Sequence, residues 1–245
     1  MDFDRLSQIA HTHHPIASPL HPAQVRTLLS RLSPPHGSQV LDLGCGWGAW
    51  LVELLDLRPD LTATGVDKSL PDAIGAGAGE RGVADRLTWV EADATTYVGE
   101  AVDTVISVGA SHAFGGAAAT LEGVRAHLRP GGQLLFGDLI WERPPSPATL
   151  AAYEVEADTF PDLAGLLALA REHGYEPGYG HVSTPDEMDD YEWSWTGSLA
   201  EWALREATTP EDREQALEAA RQHRDVWLTY RGDLGFVTVV LNDIA

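Results

Sequence analysis

Lysine is almost absent from this chain of 245 residues. Lys68 is the only lysine, and the formal net charge is −21. A protein that binds nucleic acid without sequence preference needs a basic surface that displaces phosphate counterions. The composition therefore excludes nucleic acid as an expected partner, and it indicates either a GC-rich genome or adaptation to salt.

Cysteine and long apolar runs are also scarce. Cys45 is the single cysteine, so no internal disulfide can form, and a reducing cytoplasm is the expected location. No apolar run approaches the roughly twenty residues that span a bilayer, and residues 1–5 lack a secretory pattern. We therefore expect a cytoplasmic monomer or homodimer with no membrane partner.

What the chain does contain is a glycine-rich loop between a strand and a helix. The run Val40–Trp50 reads as a buried strand, three alternating glycines and the start of a helix. Gly44 and Gly46 permit a tight turn and a close approach of the backbone to a ligand, while Gly48 permits close packing of helix on strand. This pattern is typical of a nucleoside-cofactor site.

Acidic residues follow the next two predicted strands. Asp67 ends the strand Thr62–Val66, about twenty residues after the glycine loop, where a carboxylate can accept ribose hydroxyls. Asp93 ends the strand over residues 86–94. A nicotinamide-dependent oxidoreductase would also place an acid at Asp67, but it needs a pyrophosphate loop. Asp42 and Asp93 argue against that alternative.

The loop over residues 42–48 resembles the first motif of the class I S-adenosylmethionine-dependent methyltransferases, Asp-x-Gly-x-Gly-x-Gly. The resemblance continues through residues 102–110 and 128–136, so that it covers about three-fifths of the chain. It implies S-adenosyl-L-methionine as methyl donor and S-adenosyl-L-homocysteine as product, with Asp67 at the ribose and Asp93 at the adenine amino group. The cofactor-binding residues that it implies are Asp42, Gly44, Cys45, Gly46, Gly48, Asp67, Lys68, Asp93, Ala94, Val108 and Gly109.

The expected fold class is α/β, with a Rossmann-like, mostly parallel sheet of seven strands whose last strand is antiparallel. Helices cover both faces of the sheet, and a helical insertion precedes the last strand. We divide the chain into an N-terminal lid and helix (1–35), a cofactor-binding core (36–183), a helical cap (184–233) and a last core strand (234–245). Helices are predicted at 22–32, 49–57, 70–81, 116–127, 148–158 and 161–173. After Phe136, prolines predict an extended exit from the sheet beginning at Asp138.

Aromatic residues are concentrated in the predicted cap. Its roughly fifty residues hold half of the eight tryptophans, which favours either acceptor binding or a small core of its own. Deleting the cap should spare the donor site. The acceptor contacts that we predict are His13, His14, Phe114, Trp141, Glu142, Tyr191, Trp193 and Trp195, and Asp138 is a further candidate.

Histidines are the candidate bases. His112 lies in the glycine-flanked loop after the fourth strand, where this fold faces donor and acceptor, and histidine titrates near neutral pH. A packing role explains the same position equally well. His14 is the second candidate, because the resemblance implies an N-terminal segment that folds across the donor and would place His14 or His13 by the acceptor. The cluster of residues 11–14 has no matched Cys, Asp or Glu spacing, so no metal site is expected.

The sequence thus predicts a methyltransferase that acts on an oxygen or nitrogen of a small molecule. Carbon methylation and a non-catalytic sensor or partner that only binds S-adenosylmethionine are the alternatives. The resemblance in fold indicates the class of reaction. The identity of the acceptor has to be inferred from the residues of the site.

Overall fold

A computed structural model describes residues 1–244, and the predicted last segment ends at Ala245, outside the described residues. Within these described residues, seven strands form one sheet in the order β3-β2-β1-β4-β5-β7-β6. Their bounds are β1 Gln39–Leu43, β2 Thr62–Asp67, β3 Leu87–Glu91, β4 Val102–Val108, β5 Leu128–Trp141, β6 Tyr175–Val182 and β7 Leu234–Asp243. β7 runs antiparallel to β5 and β6, and the pairs among β1 to β5 are parallel. The expected fold class is confirmed.

Helices cover both faces of the sheet. They are α1 Phe3–Ala10, α2 Pro22–Leu29, α3 Ala49–Leu57, α4 Ser111–Phe114, α5 Ala117–Arg125, α6 Pro147–Tyr153, α7 Leu163–Glu172, α8 Pro185–Arg205 and α9 Pro210–Tyr230. One apolar core joins α2 and α3 to the sheet, and a second joins α5 and α7 to its other face. The helical insertion consists of α8 and α9. The division into four segments stays a prediction.

The ends of the insertion helices follow from local sequence. Thr184 and Glu187 form a capping box at the start of α8, with Pro185 in the first turn. Thr209 caps α9 through its hydroxyl, again with a proline following. Capping oxygens satisfy amides that have no partner within the helix, and proline lacks the amide that would be unpaired there. The sequence therefore specifies two separate helices before β7.

The helix predicted at 70–81 is wrong. Residues 72–82 form successive turns, and Gly75, Gly77 and Gly82 have φ values of 67°, 81° and 66°. A right-handed helix needs negative φ, so three glycines in the left-handed region break it repeatedly. The segment wraps beside the donor loop as turns.

Two other boundaries differ from expectation. β5 does not leave the sheet at Asp138, because β7 pairs with it as far as Trp141 opposite Leu234. α6 ends at Tyr153 rather than at residue 158, since Glu154 has a φ of 55°. α1 was not anticipated as a helix, and its Asp2 cap accepts the amide of Arg5.

Candidate active site

The glycine loop lies at the carboxyl end of β1, between β2 and β4. The amides of Gly44 and Cys45 both donate to the Val66 carbonyl, at 2.9 and 3.1 Å. A Cβ on Gly44 would lie 2.4 Å from the Cβ of Ala110, which follows β4. Gly44 is therefore required by contact with the neighbouring loop.

Any side chain at position 48 would clash with a tryptophan on β3. A Cβ there would lie 2.2 Å from Cη2 of Trp89, and the same indole closes on Gly65 and Gly75. Three glycines from separate segments thus leave the space that the Trp89 ring occupies. A Cβ on Gly46, by contrast, would meet nothing within 4 Å, which leaves its backbone open to a ligand.

Asp67 connects the end of β2 to the glycine loop. Its Oδ2 accepts the amide of Gly46 at 2.9 Å, and its Oδ1 accepts the amide of Ser69 at 3.1 Å. An ionised carboxylate has about four lone-pair sites. Two of them remain for other donors.

Asp42 is a buried acid beside this loop. It is 2% exposed, and its Oδ2 has no hydrogen-bond partner within the part of the chain that the structure describes. Burial raises the pKa of Asp42 well above its usual value, and the charge of Asp67 adds to this effect. A buried, unpartnered carboxylate is costly unless a cation or donor reaches it. Burial also raises the pKa of the Cys45 thiol, so that it stays protonated.

Asp93 lies beyond β3 on the same edge of the sheet. Its Oδ1 accepts the amide and the hydroxyl of Thr95, at 2.8 and 2.6 Å, and these bonds lower its pKa. Lys68 is close enough to lower it further. Ala94 is buried, and the Ala92 amide donates to the Asp67 carbonyl. The acids after β2 and β3 are therefore neighbours.

The ends of β4 and β5 carry a second polar group. Ser111 donates through its hydroxyl to Oδ1 of Asp138 at 2.7 Å, and the amide of Leu139 donates to the same oxygen at 2.8 Å. Asp138 is 5% exposed, and burial raises its pKa despite these bonds and the nearby charge of His112. His112 is exposed on α4. The sequence pointed to His112, and the buried acid next to it was considered only as an acceptor contact.

Val108 and Gly109 continue this edge. Val108 is buried, and the Gly109 amide donates to the Gly137 carbonyl at 2.9 Å. Gly109 has a φ of 74°, and a Cβ on it would lie 3.4 Å from the carbonyl oxygen of Ala17. The N-terminal segment thus passes close to the loop after β4.

Residues 11–21, which we call the strap, run between the glycine loop and α8. His11 Nε2 lies 3.0 Å from Tyr191 Oη, and the His21 amide donates to Glu187 Oε1 at 3.0 Å. Beneath the strap is a cleft of about 160 Å³. It is lined by Ser7, Gln8, His11, Ala17, Gly46, Trp47, Asp67, Lys68, Ser69 and Pro71.

His13 and His14 face a different cavity, which also involves Asp190. His13 Nε2 lies 3.0 Å from Glu201 Oε2. His14 bonds through Nδ1 to the Ile16 carbonyl at 2.6 Å, and its ring meets Tyr191 edge-on at 5.3 Å. The strap histidine that lines the donor cleft is His11. The sequence did not single it out, because His11, His13 and His14 lie within four residues and nothing local distinguishes them.

The remaining predicted acceptor residues are mostly packed within the protein. Trp141 donates to the Ala157 carbonyl at 2.9 Å, and Phe114 contacts the position of Gly123. Trp195 stacks on His223 at 3.8 Å, and Trp193 meets Trp227 edge-on while it stays 55% exposed. None of these four lines the donor cleft as described.

A larger cavity of about 510 Å³ lies under the insertion. Glu142, after β5, is on its wall, and the Asp189 carboxylate beside it pairs bidentately with Arg231. Ser183, also on the wall, has a buried hydroxyl without a hydrogen-bond partner among the described residues. The lining residues are Glu142, Val182, Ser183, Pro185, Met188, Asp189, Trp227, Tyr230, Arg231, Gly232, Leu234 and Gly235.

Two features are absent from residues 1–244. No three His, Cys, Asp or Glu side chains there are grouped so that they could hold a metal ion. No helix in that range has both the length and the apolar character needed to cross a bilayer.

Comparison with known proteins agrees with this geometry. A family described as methyltransferase domain matches residues 41–134. The uncharacterized protein YjhP of Escherichia coli K12 is 30% identical over 207 residues, which cover 82% of this chain and 83% of that protein.

Solved structures match over nearly the whole chain. A SAM-dependent methyltransferase from Geobacter sulfurreducens, crystallised with S-adenosyl-L-homocysteine, has a TM-score of 0.86 at 28% identity and covers 98% of both chains. A SAM-dependent methyltransferase from Thiobacillus denitrificans, in complex with the same molecule, has a TM-score of 0.84 at 29% identity and covers 98% of this chain and 99% of its own. The similarity therefore includes the N-terminal segment and the insertion.

Proposed function

This chain belongs to the family of class I S-adenosylmethionine-dependent methyltransferases, and from that premise we propose that it methylates an oxygen or nitrogen of a small molecule. It uses S-adenosyl-L-methionine and releases S-adenosyl-L-homocysteine. The single lysine and the net charge of −21 support an acceptor other than nucleic acid. We retain the predictions of a cytoplasmic location and of a monomer or homodimer.

The donor site supports this function through the unused bonding capacity of three acids. S-adenosylmethionine supplies an electrophilic methyl group on a positively charged sulfur. Asp67 has lone pairs left for the ribose hydroxyls, Asp93 stands at the neighbouring strand end for the adenine amino group, and Asp42 offers an unpartnered buried oxygen to the ammonium group. The open backbone at Gly46 leaves room beside them.

The main support for an oxygen or nitrogen acceptor is the buried acid Asp138, which lies beside Ser111 and His112. A protonated amine must lose a proton before its nitrogen can attack the methyl group, and a hydroxyl must lose one as it is methylated. A carboxylate whose pKa is raised by burial is a better proton acceptor near neutral pH than an exposed one. We assign Asp138 and His112 to hold or remove that proton, and Ser111 to orient the Asp138 carboxylate.

The cavity under the insertion suits the rest of the acceptor. Its volume of about 510 Å³ falls within the range of about 300–1,000 Å³ that is usual for small-molecule pockets. Val182, Met188 and Leu234 supply an apolar wall, whereas Glu142 and the Ser183 hydroxyl supply polar contacts. We assign Glu142 to the acceptor and give Trp141, Phe114, Trp193 and Trp195 a packing role.

The test is a transfer assay with methyl-labelled S-adenosylmethionine and a panel of amines, phenols and carboxylic acids with apolar bodies. Label on nitrogen or oxygen, with matching release of S-adenosylhomocysteine, is the expected result. Label on carbon would overturn the acceptor class. Donor binding without transfer to any compound would instead favour the non-catalytic alternative.

Variants at the proposed bases sharpen the assay. Asp138→Asn and His112→Ala should each lower turnover by about 10²-fold or more, with nearly unchanged affinity for S-adenosylhomocysteine, because general-base assistance has that size. His36→Ala, which changes an exposed loop histidine, is the matched control. Full turnover of His112→Ala across the pH range would make His112 structural and leave Asp138 and His14 as candidates.

A further inference from the structure

The strap over residues 11–21 is anchored at both ends by one helix. His11 bonds to Tyr191, and the His21 amide bonds to Glu187. Positions 187 and 191 are four residues apart, so both anchors share one face of α8. Between them, the Ala17 carbonyl approaches Gly109 at the donor site. The strap therefore crosses the donor cleft while it is held by the insertion.

The His11 contact is a directional bond between neutral groups. The Ser7 carbonyl can only accept, and it lies 2.8 Å from His11 Nδ1, so this nitrogen carries the proton. Nε2 is then the acceptor for the Tyr191 hydroxyl. Burial lowers the pKa of His11, which keeps the ring in this neutral form.

The second anchor is rigid. Glu187 is 2% exposed, and besides the His21 amide it accepts the Thr184 amide and faces His181 Nε2, both at 2.8 Å. Its carboxylate is thus tied to the end of β6, to the start of α8 and to the strap. The strap cannot shift at this end without a rearrangement at the base of the insertion.

The strap and the donor site share one cleft. About 160 Å³ lies between the strap and the glycine loop. Gly46 and Asp67 of the donor site line this cleft together with His11 and Ala17 of the strap. A donor bound there therefore contacts the strap, and the anchors of the strap connect that contact to α8.

We propose that His11 and Tyr191 are positioning residues that couple occupation of the donor site to the placement of α8. A donor in the cleft contacts the strap, and the bond from His11 to Tyr191 links the strap to α8, so that a bound donor restricts α8 to one position. Met188 and Asp189, on the wall of the larger cavity, belong to the same turns of α8. A bound donor thus also restricts this wall of the larger cavity. This inference rests on the donor cleft and does not depend on the identity of the acceptor.

Hydrogen exchange of the full chain with and without S-adenosylhomocysteine tests the coupling. In the unaltered protein, the ligand should slow amide exchange in residues 11–21 and also in α8. Tyr191→Phe keeps the ring and removes the hydroxyl. It should weaken S-adenosylhomocysteine binding about fivefold, as expected for one neutral hydrogen bond, and abolish the ligand-dependent protection of α8.

Two further variants separate coupling from general destabilisation. Tyr175→Phe also removes one buried tyrosine hydroxyl, which donates to the Leu121 carbonyl far from the strap, and it should leave both effects intact. His11→Phe should match Tyr191→Phe, and the double variant should bind no more weakly than either single variant, because both remove the same contact.

Wild-type binding and α8 protection in Tyr191→Phe would overturn the proposal, as would additive losses in the double variant. Because the readouts use S-adenosylhomocysteine alone, a failure here is distinct from a failure to find methyl transfer.

Discussion

Individual carboxylates at the site differ in how much of their bonding capacity the protein already uses. Asp67 holds two backbone amides, Asp93 holds the amide and hydroxyl of one threonine, and Oδ2 of Asp42 has no partner in the described range. A carboxylate that the fold leaves partly unsatisfied gains most from a ligand that donates. These differences determine what each substitution should do.

Asp67→Ala should weaken the binding of S-adenosylhomocysteine by about 1–3 kcal/mol, the usual value for hydrogen bonds to a charged group. Part of the loss comes from the Gly46 amide, which loses its partner. Titration calorimetry measures the change. Asp85→Ala, at an exposed acid before β3, is the control, and unchanged affinity in Asp67→Ala would remove the ribose assignment.

Asp42→Asn should change how stability depends on pH. The pKa of Asp42 is raised in the folded protein, whereas the unfolded chain releases this proton near pH 4. Above that pH and up to the folded pKa, the folded state holds one more proton, so stability falls as pH rises. Asparagine has no proton to lose, so the donor-free variant should become more stable relative to the unaltered protein as pH rises from 4 to 7.

Thermal unfolding of both donor-free proteins across that pH range measures the effect. All other titrating groups are shared, so the difference between the two curves isolates Asp42. Curves that stay parallel would mean that Asp42 titrates alike in the folded and unfolded chain. The variant should also bind S-adenosylhomocysteine more weakly.

Among the elements, the turn from β1 into α3 depends on a contact that is remote in sequence. Gly48 has a φ of 71° and lies against the Trp89 ring on β3. The sequence indicated that Gly48 lets helix and strand pack closely, but it did not identify Trp89 as the neighbour. Glycine is thus needed at position 48 both for the left-handed backbone conformation and for close packing against β3.

Gly48→Ala should destabilise the fold by more than its backbone angle alone explains. The left-handed conformation costs a non-glycine residue about 1–2 kcal/mol, and overpacking against a rigid ring adds typically about 1–3 kcal/mol. Gly77→Ala is a matched control, because φ there is 81° and a Cβ meets nothing within 4 Å. Urea unfolding of both variants gives the comparison. Equal losses would show that Trp89 moves aside freely.

The elements also show where sequence reasoning succeeds. α3 was predicted over its full extent, 49–57, because a glycine loop precedes it and Pro59 forces its end. The turns at 72–82 were missed because alanine favours a helix and glycine disfavours it, so that composition alone does not predict the structure of this segment. The extension of β5 depends on β7, whose partner residues lie about a hundred positions later.

For the molecule as a whole, the excess of acidic residues is the dominant property. With a net charge of −21, like charges repel one another across the folded surface, and salt screens that repulsion beyond about 10 Å at 0.1 M. Ion pairs such as that of Arg231 with Asp189 work in the opposite sense but are exposed and therefore weak. We therefore expect the repulsion among acidic residues to outweigh the ion pairs and to lower the stability of the fold at low salt.

The melting temperature should therefore rise between 0.02 and 0.5 M NaCl. Screening that recovers about 1 kcal/mol raises it by about 2–4 °C for a domain of this size. Tetramethylammonium chloride at equal ionic strength should give the same rise, because screening depends on ionic strength and not on the ion. A flat or falling melting temperature would show that the ion pairs balance the repulsion.

The candidate site was predictable from the sequence to different degrees. Asp42, Asp67 and Asp93 lie at or just beyond the carboxyl ends of β1, β2 and β3, and the carboxyl ends of neighbouring parallel strands meet at one edge of the sheet. The pairing of His11 with Tyr191, 180 positions apart, had no local signal, because the three histidines of residues 11–14 cannot be told apart until α8 is placed. The expectation that the cap is independent of the donor site was made without that contact.

The anchoring of the strap on α8 has a consequence for how such enzymes can be recombined. A chimera that receives only a relative's insertion would confront His11 and His21 with foreign surfaces in place of Tyr191 and Glu187. The first 21 residues and the segment from 184 to 233 therefore form one structural unit, although the cofactor-binding core separates them in the sequence. Exchange of acceptor specificity between relatives requires that both segments be transplanted together.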